Sequence, residues 1–360
     1  MQMSWSAVQK RQLAIFFAVA FGLPLLMAIP MGFGHAAQLD VSIFVMTQMF
    51  YPAAGAMLAL WMTQPAARLP RIFFGTFLAS TAIFMLCCFA SLFVSLPWTA
   101  VSNVIVILAS VIGWIALKLD KKQNRTFAGL RLTKTGGKGY VLLIALFVVL
   151  YVLRIVLVGA LTLWVHPELA NVESTSIQPV YFLVNLAVLP LNFFFVYLPF
   201  LGEEYGWRSF LQPLLQQRFG SRRGIVLLGV LWGLWHLPIN VFYYSPDTWL
   251  LSVINQIVLC VCYAAFFGYA YQKSRCLWVA VILHYFNNNA IVLFASDASI
   301  SNQVLTVSDV AINLLCLVVL YLPFLFHKIL RGSASVLPLE SAEQETAPVE
   351  AAPEQLPISE

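Results

Sequence analysis

Charge is scarce in this 360-residue chain: Asp, Glu, Lys and Arg make up 10% of it, against 61% hydrophobic residues. Soluble domains carry about 25% charged residues, so a soluble globular enzyme is excluded. A disordered chain is excluded as well, because disorder needs few apolar side chains and dense charge. Cys87, Cys88, Cys260, Cys262, Cys276 and Cys316 include no CxxC pair and all lie in apolar runs. They therefore read as small buried hydrophobes, not as a disulfide framework or a thiolate metal site. The chain has no HExxH, no Walker-type or other nucleotide-binding motif and no internal repeat, and nothing in it points to a nucleic-acid partner.

What the chain has is apolar length. Runs close to the ~20 residues that a spanning helix needs fall at 13–33, 41–63, 72–96, 98–117, 140–164, 179–201, 224–244, 250–272, 276–296 and 305–326. The expectation is an all-α polytopic transmembrane helical bundle of about ten spans. The first run is longer than a signal-peptide core and carries Pro24 and Pro30, so it reads as an uncleaved anchor.

The basic residues orient the bundle. Lys10 and Arg11 precede the first span, Arg68 and Arg71 follow the second, and seven more, from Lys118 to Lys138, follow the fourth. Arg218, Arg222 and Arg223 follow the sixth, Lys273 and Arg275 the eighth, and Lys328 and Arg331 the tenth. Of the 20 basic residues only Arg154 and Arg208 fall outside this alternation, and the intervening loops carry no Lys or Arg. The positive-inside rule then places both termini in the cytoplasm, as expected of a multi-pass protein of the plasma membrane surrounded by lipid. Three regions result: N-terminal spans with a basic loop (1–140), a core with the last span (141–327, motif-bearing part 179–296), and an acidic tail (328–360). The tail is rich in Pro, Ala and Glu without an apolar period, the composition of a disordered cytoplasmic extension.

Once loops and tail are set aside, the membrane holds Glu203, Glu204, Arg208, Arg154, His236 and His284. An ionised residue at the bilayer centre costs roughly 2.5–3.5 kcal/mol on insertion scales, so these residues need a reason to be there. In LGEEYGWRSF, Glu204 and Arg208 stand at i and i+4 and can pair on one helix face. Glu203 is rotated about 100° away, free to face another helix, and is read at the cytoplasmic end of span six. WGLWHLP puts Trp232 and His236 four residues apart, and HYFNN does the same for His284 and Asn288. Counting ~1.5 Å per residue from the basic ends brings the three segments to similar depth in the cytoplasmic half.

A free carboxylate, two imidazoles and a carboxamide in a site sheltered by lipid suit peptide hydrolysis. The carboxylate can take a proton from water, and the donors can hold the oxyanion. Each residue also has a plainer reading. Glu204–Arg208 is a structural pair, His236 and His284 are interhelical donors, and Trp232 and Trp235 are packing aromatics. The Asn287–Asn289 run is polar glue, and the GxxxG of Gly229 and Gly233 is a close helix contact. Arg154 receives no role from the sequence.

EEYGWR, then WGLWH, then HYFNN resembles the ordered motifs EExxxR, FxxxH and HxxxN/D of the CPBP intramembrane proteases. That family includes the type II CAAX prenyl endopeptidases and bacteriocin-processing or self-immunity proteins. The resemblance implies that Glu203 and His236 activate water, that His284 and Asn288 stabilise the oxyanion, and that Glu204 and Arg208 support them. Trp232 replaces the family's usual Phe. The implied activity is an intramembrane endopeptidase that cuts a peptide near the cytoplasmic face, with a peptide or protein, prenylated or membrane-associated, as substrate. No cofactor is expected of a glutamate-type mechanism; zinc held by Glu203, His236 and His284 stays open as the alternative. Two readings from other classes also stand: a self-immunity protein that binds a peptide without cutting it, and a proton-coupled transporter. The topology makes the first prediction. Cysteines introduced at positions 128 and 170 should label from opposite sides of the membrane, 128 from inside; labelling from the reverse sides would overturn the orientation.

Overall fold

A computed structural model describes residues 4–131, 137–171, 179–293 and 300–330. Among the described residues every regular element is a helix. The first five are α1 (Ala7–Ala36), α2 (Ser42–Thr63), α3 (Arg71–Ala90), α4 (Trp98–Leu119) and α5 (Gly137–Val165). Next come α6 (Pro179–Val196), α7 (Leu198–Phe219), α8 (Ser221–Tyr244), α9 (Pro246–Ser274), α10 (Leu277–Asn289) and α11 (Val307–Phe326). Eight of them are long and apolar enough to cross a membrane, nine if α6 and α7 count as one bent span. The chain is thus an all-α, multi-pass membrane protein. From 331 onward the acidic tail lies outside the described residues.

The expected ten spans need two corrections. The run 276–296 forms a helix of only 13 residues, α10, followed by a single 3-10 turn; at 1.5 Å per residue α10 covers about 20 Å, short of a ~30 Å hydrocarbon core. The run 179–201 is not one helix. It breaks at Tyr197, and α6 and α7 diverge by 70°. The sequence supplies the cause: Pro199 stands in the first turn of α7, where it lacks the N–H that would continue the helix from α6 and its ring crowds the carbonyl four residues back.

The break matters because α7 then runs on to Phe219. Hydropathy falls after Glu203, so the sequence reading ended the span there and put Glu203 at its cytoplasmic end. The helix instead continues for 16 more residues, polar but enclosed by protein; Glu203, Glu204, Arg208, Gln212 and Gln216 are all buried. Glu203 therefore lies near the middle of the bundle.

Burial divides the helices by role. Of its most apolar window α5 buries only 17%, whereas α2 buries 78%. A helix apolar all round with little protein contact is lipid-facing, and α5 shows Val141, Leu142, Val149, Val156 and Trp164 outward. The central α2 lies directly against α7: a Cβ on Gly202 or Gly206 would collide with Met49 and Pro52 backbone. Gly229 and Gly233 do the same for α8 on α9, where an added Cβ would lie 2.5 Å from the Cα atoms of Val261 and Ile257. The GxxxG spacing is thus a backbone-to-backbone contact. Gly220, at φ 83°, makes the tight corner between α7 and α8 that a left-handed residue allows. Overpacking at such a contact costs about 1–3 kcal/mol or more. Gly233→Val should therefore lower the melting temperature of detergent-purified protein by several degrees, and an unchanged melt would show that α8 and α9 can separate freely.

Candidate active site

Three helices, α7, α8 and α10, deliver the site, and the first two are locally interrupted where they do so. After Glu204, residues Tyr205–Leu211 (YGWRSFL) wind as a π-helix, a form concentrated at functional positions because it re-aims side chains. The first part of α8 ends at Trp235, and His236 caps it just ahead of Pro238. Asn240 steadies that corner: its Nδ2 donates to the His236 carbonyl at 2.9 Å while Ser252 Oγ donates to its Oδ1 at 2.5 Å. On the other side, Gln48 of α2 donates to the Trp235 carbonyl at 2.7 Å, and Trp235 donates to the Ala20 carbonyl at 2.8 Å.

The two glutamates divide into separate roles. Glu204 is fully buried, its Oε2 3.0 Å from Arg208 Nε and its Oε1 2.8 Å from His284 Nδ1. Oε2 and Nε approach without the alignment of a directed hydrogen bond, so the contact is an ion pair, seconded by the faces of Trp232 and Phe267. The guanidinium carbon lies 4.8 and 5.4 Å from those ring centroids, within cation–π range. Glu203, 3% exposed, receives two indole N–H groups on Oε2, from Trp232 at 2.7 Å and Trp207 at 3.3 Å. Its Oε1 points toward His284 Nε2, 4.0 Å away. That distance is too long for a direct hydrogen bond.

The structure therefore places His284 between both carboxylates. His236 Nδ1 lies 2.8 Å from the Trp232 carbonyl. A carbonyl only accepts, so Nδ1 carries the proton, and in the neutral ring Nε2 is left with its lone pair. Asn288 is exposed on the cavity wall; its Oδ1 accepts from Asn287 at 2.9 Å. Glu203, His236, His284 and Asn288 all line one cavity of about 390 Å³. Its lining continues to Tyr244, Ile300, Gln303 and Leu305, at the end of the bundle whose loops carry no Lys or Arg. Among the described residues the cavity is lined toward that end and not in the basic half where the sequence reading had put the site; there the polar stretch of α7 is buried against protein.

Two residues around Glu203 carry more than the sequence suggested. Trp232 was read as packing in place of Phe, yet its ring nitrogen donates to the carboxylate, which a Phe cannot do. Trp207 was missed, although its i+4 spacing from Glu203 placed it on the same face. Arg154, left without a role, lines the cavity too.

A metal fits this set poorly. Glu203 Oε2 is occupied by two donors and both nitrogens of His284 face carboxylates. No group of three His, Cys, Asp or Glu among the described residues converges as a metal site.

A carboxylate, two imidazoles and a carboxamide, enclosed by membrane helices, form a polar cluster that can take a proton from water and donate hydrogen bonds to an oxyanion. Residues 182–290, the part of the chain that carries it, match the family described as type II CAAX prenyl endopeptidase Rce1-like. A curated relative, CAAX prenyl protease 2 of Methanococcus maripaludis, is 35% identical over 85 residues, 24% of this chain and 26% of the relative. The chain thus spans about a quarter of the length of that relative. No solved structure matches the chain.

Removing one partner of a buried ion pair costs about 3–5 kcal/mol, because the other charge is left uncompensated. Arg208→Ala and Glu204→Ala should accordingly lower yield and melting temperature, while Glu203→Gln should melt close to the parent. Equal stability of all three variants would show that the Glu204–Arg208 pair supports nothing.

Proposed function

We propose that the protein is an intramembrane endopeptidase of the CAAX type that uses a glutamate-activated water and no metal. The reading rests on one observation above the others: one ionisable residue from each of three separate motifs, Glu203, His236 and His284, lines a single cavity, and Glu203 is fixed there by two indole donors with its second oxygen left facing His284. A water bound to Glu203 Oε1 is held at the same time within reach of an imidazole. Glu203 takes its proton as oxygen attacks the amide carbonyl, and the lone pair on His236 Nε2 is a second acceptor for that water. The developing oxyanion receives N–H donors from His284 and Asn288 Nδ2, and one such donor is worth roughly 3–4 kcal/mol in a dry site. Glu203 then returns the proton to the departing amide nitrogen, and the peptide leaves as a carboxylic acid and an amine. Glu204 acts through His284, fixing its ring as a carboxylate fixes a catalytic imidazole.

The cavity lining reaches Tyr244 and Ile300, so in this reading the peptide occupies the end away from the basic loops. The relative's name, a CAAX prenyl protease, makes peptides with a C-terminal prenyl cysteine the first substrates to test. Protein purified in detergent and stripped with a strong chelator should cleave members of a fluorogenic peptide library. Glu203→Gln should lose at least a hundredfold in kcat, the contribution of a general base. Trp232→Phe, which keeps the ring and deletes the donor, should lose about tenfold. Activity lost to the chelator and restored by zinc would overturn the metal-free mechanism. A parent that binds peptides without cutting any would favour an immunity protein.

A further inference from the structure

The cavity that holds the hydrolytic set also holds a cation that the mechanism does not use. Arg154 lies two-thirds of the way along α5, a helix otherwise committed to lipid, and at this position the side chain is half-buried and turned into the cavity. A guanidinium at membrane depth is costly wherever it is not compensated. Here the compensation is incomplete. Nη1 donates to Asn313 Oδ1 at 3.1 Å, and Asn313 Nδ2 in turn donates to Asn255 Oδ1 at 2.8 Å. Nε is buried without a hydrogen-bond partner, and no ion pair is made to Arg154 among the described residues. The ring beside it is Tyr151, at 5.4 Å from the guanidinium carbon. Glu203 and Glu204 pair with other groups, so the positive charge faces the cavity with amide and phenol neighbours and no paired anion among the described residues.

An oriented arginine of this kind is suited to a carboxylate, which its planar fork can grip through two parallel N–H groups. The amide chain Asn255–Asn313 fixes one edge of the guanidinium and leaves the rest for a ligand. At about 390 Å³ the cavity is at the small end for a drug-sized molecule, room for a few residues of peptide. A peptide cut at Glu203 whose chain end is seated in this space brings an anion of its own, the terminal carboxylate.

We propose that Arg154, backed by Asn313 and Asn255, is a carboxylate subsite that takes the C-terminal carboxylate of the substrate peptide and so sets how far from the chain end the bond is cut. This rests on the proteolytic reading above. An acidic side chain or a lipid phosphate offers related chemistry, and the test separates them from the terminus.

Three fluorogenic peptides of one sequence are compared: free acid, C-terminal amide, and amide with an Asp at the last position. Their kcat/KM values are measured with parent, Arg154→Gln and Arg154→Lys, each first shown to melt as a folded protein. The parent should prefer the acid to the plain amide by about tenfold to a hundredfold, chiefly through KM, as a charge-assisted bond implies. In Arg154→Gln the ratio should fall to near one, and Arg154→Lys should restore part of it. A parent that does not discriminate, or an Arg154→Gln variant that keeps the full ratio, overturns the subsite. Equal cleavage of the Asp amide and the acid overturns the terminus as its ligand. Loss of the acid preference on adding phosphatidylglycerol vesicles identifies a lipid phosphate as the occupant and overturns it likewise. A binding arm keeps the two readings apart: the acid, and not the amide, should raise the melting temperature of Glu203→Gln, and Arg154→Gln in that background should abolish the shift. If no peptide is cut but this shift is seen, the subsite stands and the proteolytic reading falls.

Discussion

The buried carboxylate of Glu204 is the joint on which this site turns. One oxygen meets Arg208 on its own helix and the other meets His284 on α10, so a single side chain ties the π-helical turn of α7 to the short tenth helix. Without the guanidinium the carboxylate would be an unpaired charge at membrane depth, and without the imidazole α10 would lose its polar link to α7. Arg208 is itself enclosed by the rings of Trp232 and Phe267, which draws α8 and α9 to the same point. The neighbour, Glu203, is thereby spared any structural duty toward a cation and keeps one oxygen free.

The helix irregularities follow from the same need. A straight helix presents side chains every 100°, and each departure from it re-aims the residues that follow. The π-helical turn after Glu204, the proline break before α7 and the corner at His236 adjust those directions locally. Such distortions leave backbone groups to be satisfied, and side chains do it: Asn240 and Gln48 donate to the carbonyls around His236. The N-terminal spans, which carry none of the motifs, thus brace the site through Gln48, Ala20 and the backbone contacts at Gly202 and Gly206. In lipid this bracing is demanding, because no water stands by to cover a group that a bend exposes.

The placement of lipid-facing and protein-facing surface explains how one chain keeps a wet reaction inside a dry bundle. α5 meets the bilayer along most of its length yet turns Arg154 inward, and the charge is tolerated because Asn313 and the cavity receive it. α7 shows the reverse: it is polar enough that the sequence reading closed the sixth span at 201, and it is buried almost throughout because protein, not lipid, surrounds it. Hydropathy measures partition between water and hydrocarbon, and a helix enclosed by other helices is subject to neither.

That distinction separates what the sequence determined from what the tertiary structure decided. Scarce charge and apolar runs determined a multi-pass helical membrane protein, since the cost of burying ions acts residue by residue and needs no knowledge of contacts. The i, i+4 spacing of Glu204 and Arg208 was equally local, as was the GxxxG of Gly229 and Gly233, and the ordered motifs pointed to the family that residues 182–290 match. The length of α10, the 70° bend at Tyr197 and the position of Glu203 near the middle of the bundle were not legible. They depend on where a proline breaks a helix and on which polar stretch finds protein partners. Nor did the pattern show that Trp232 and Trp207 share one carboxylate oxygen, or that Arg154 faces the same cavity. Those contacts are set by the rotation of whole helices about their axes, and only packing against several neighbours at once fixes that angle.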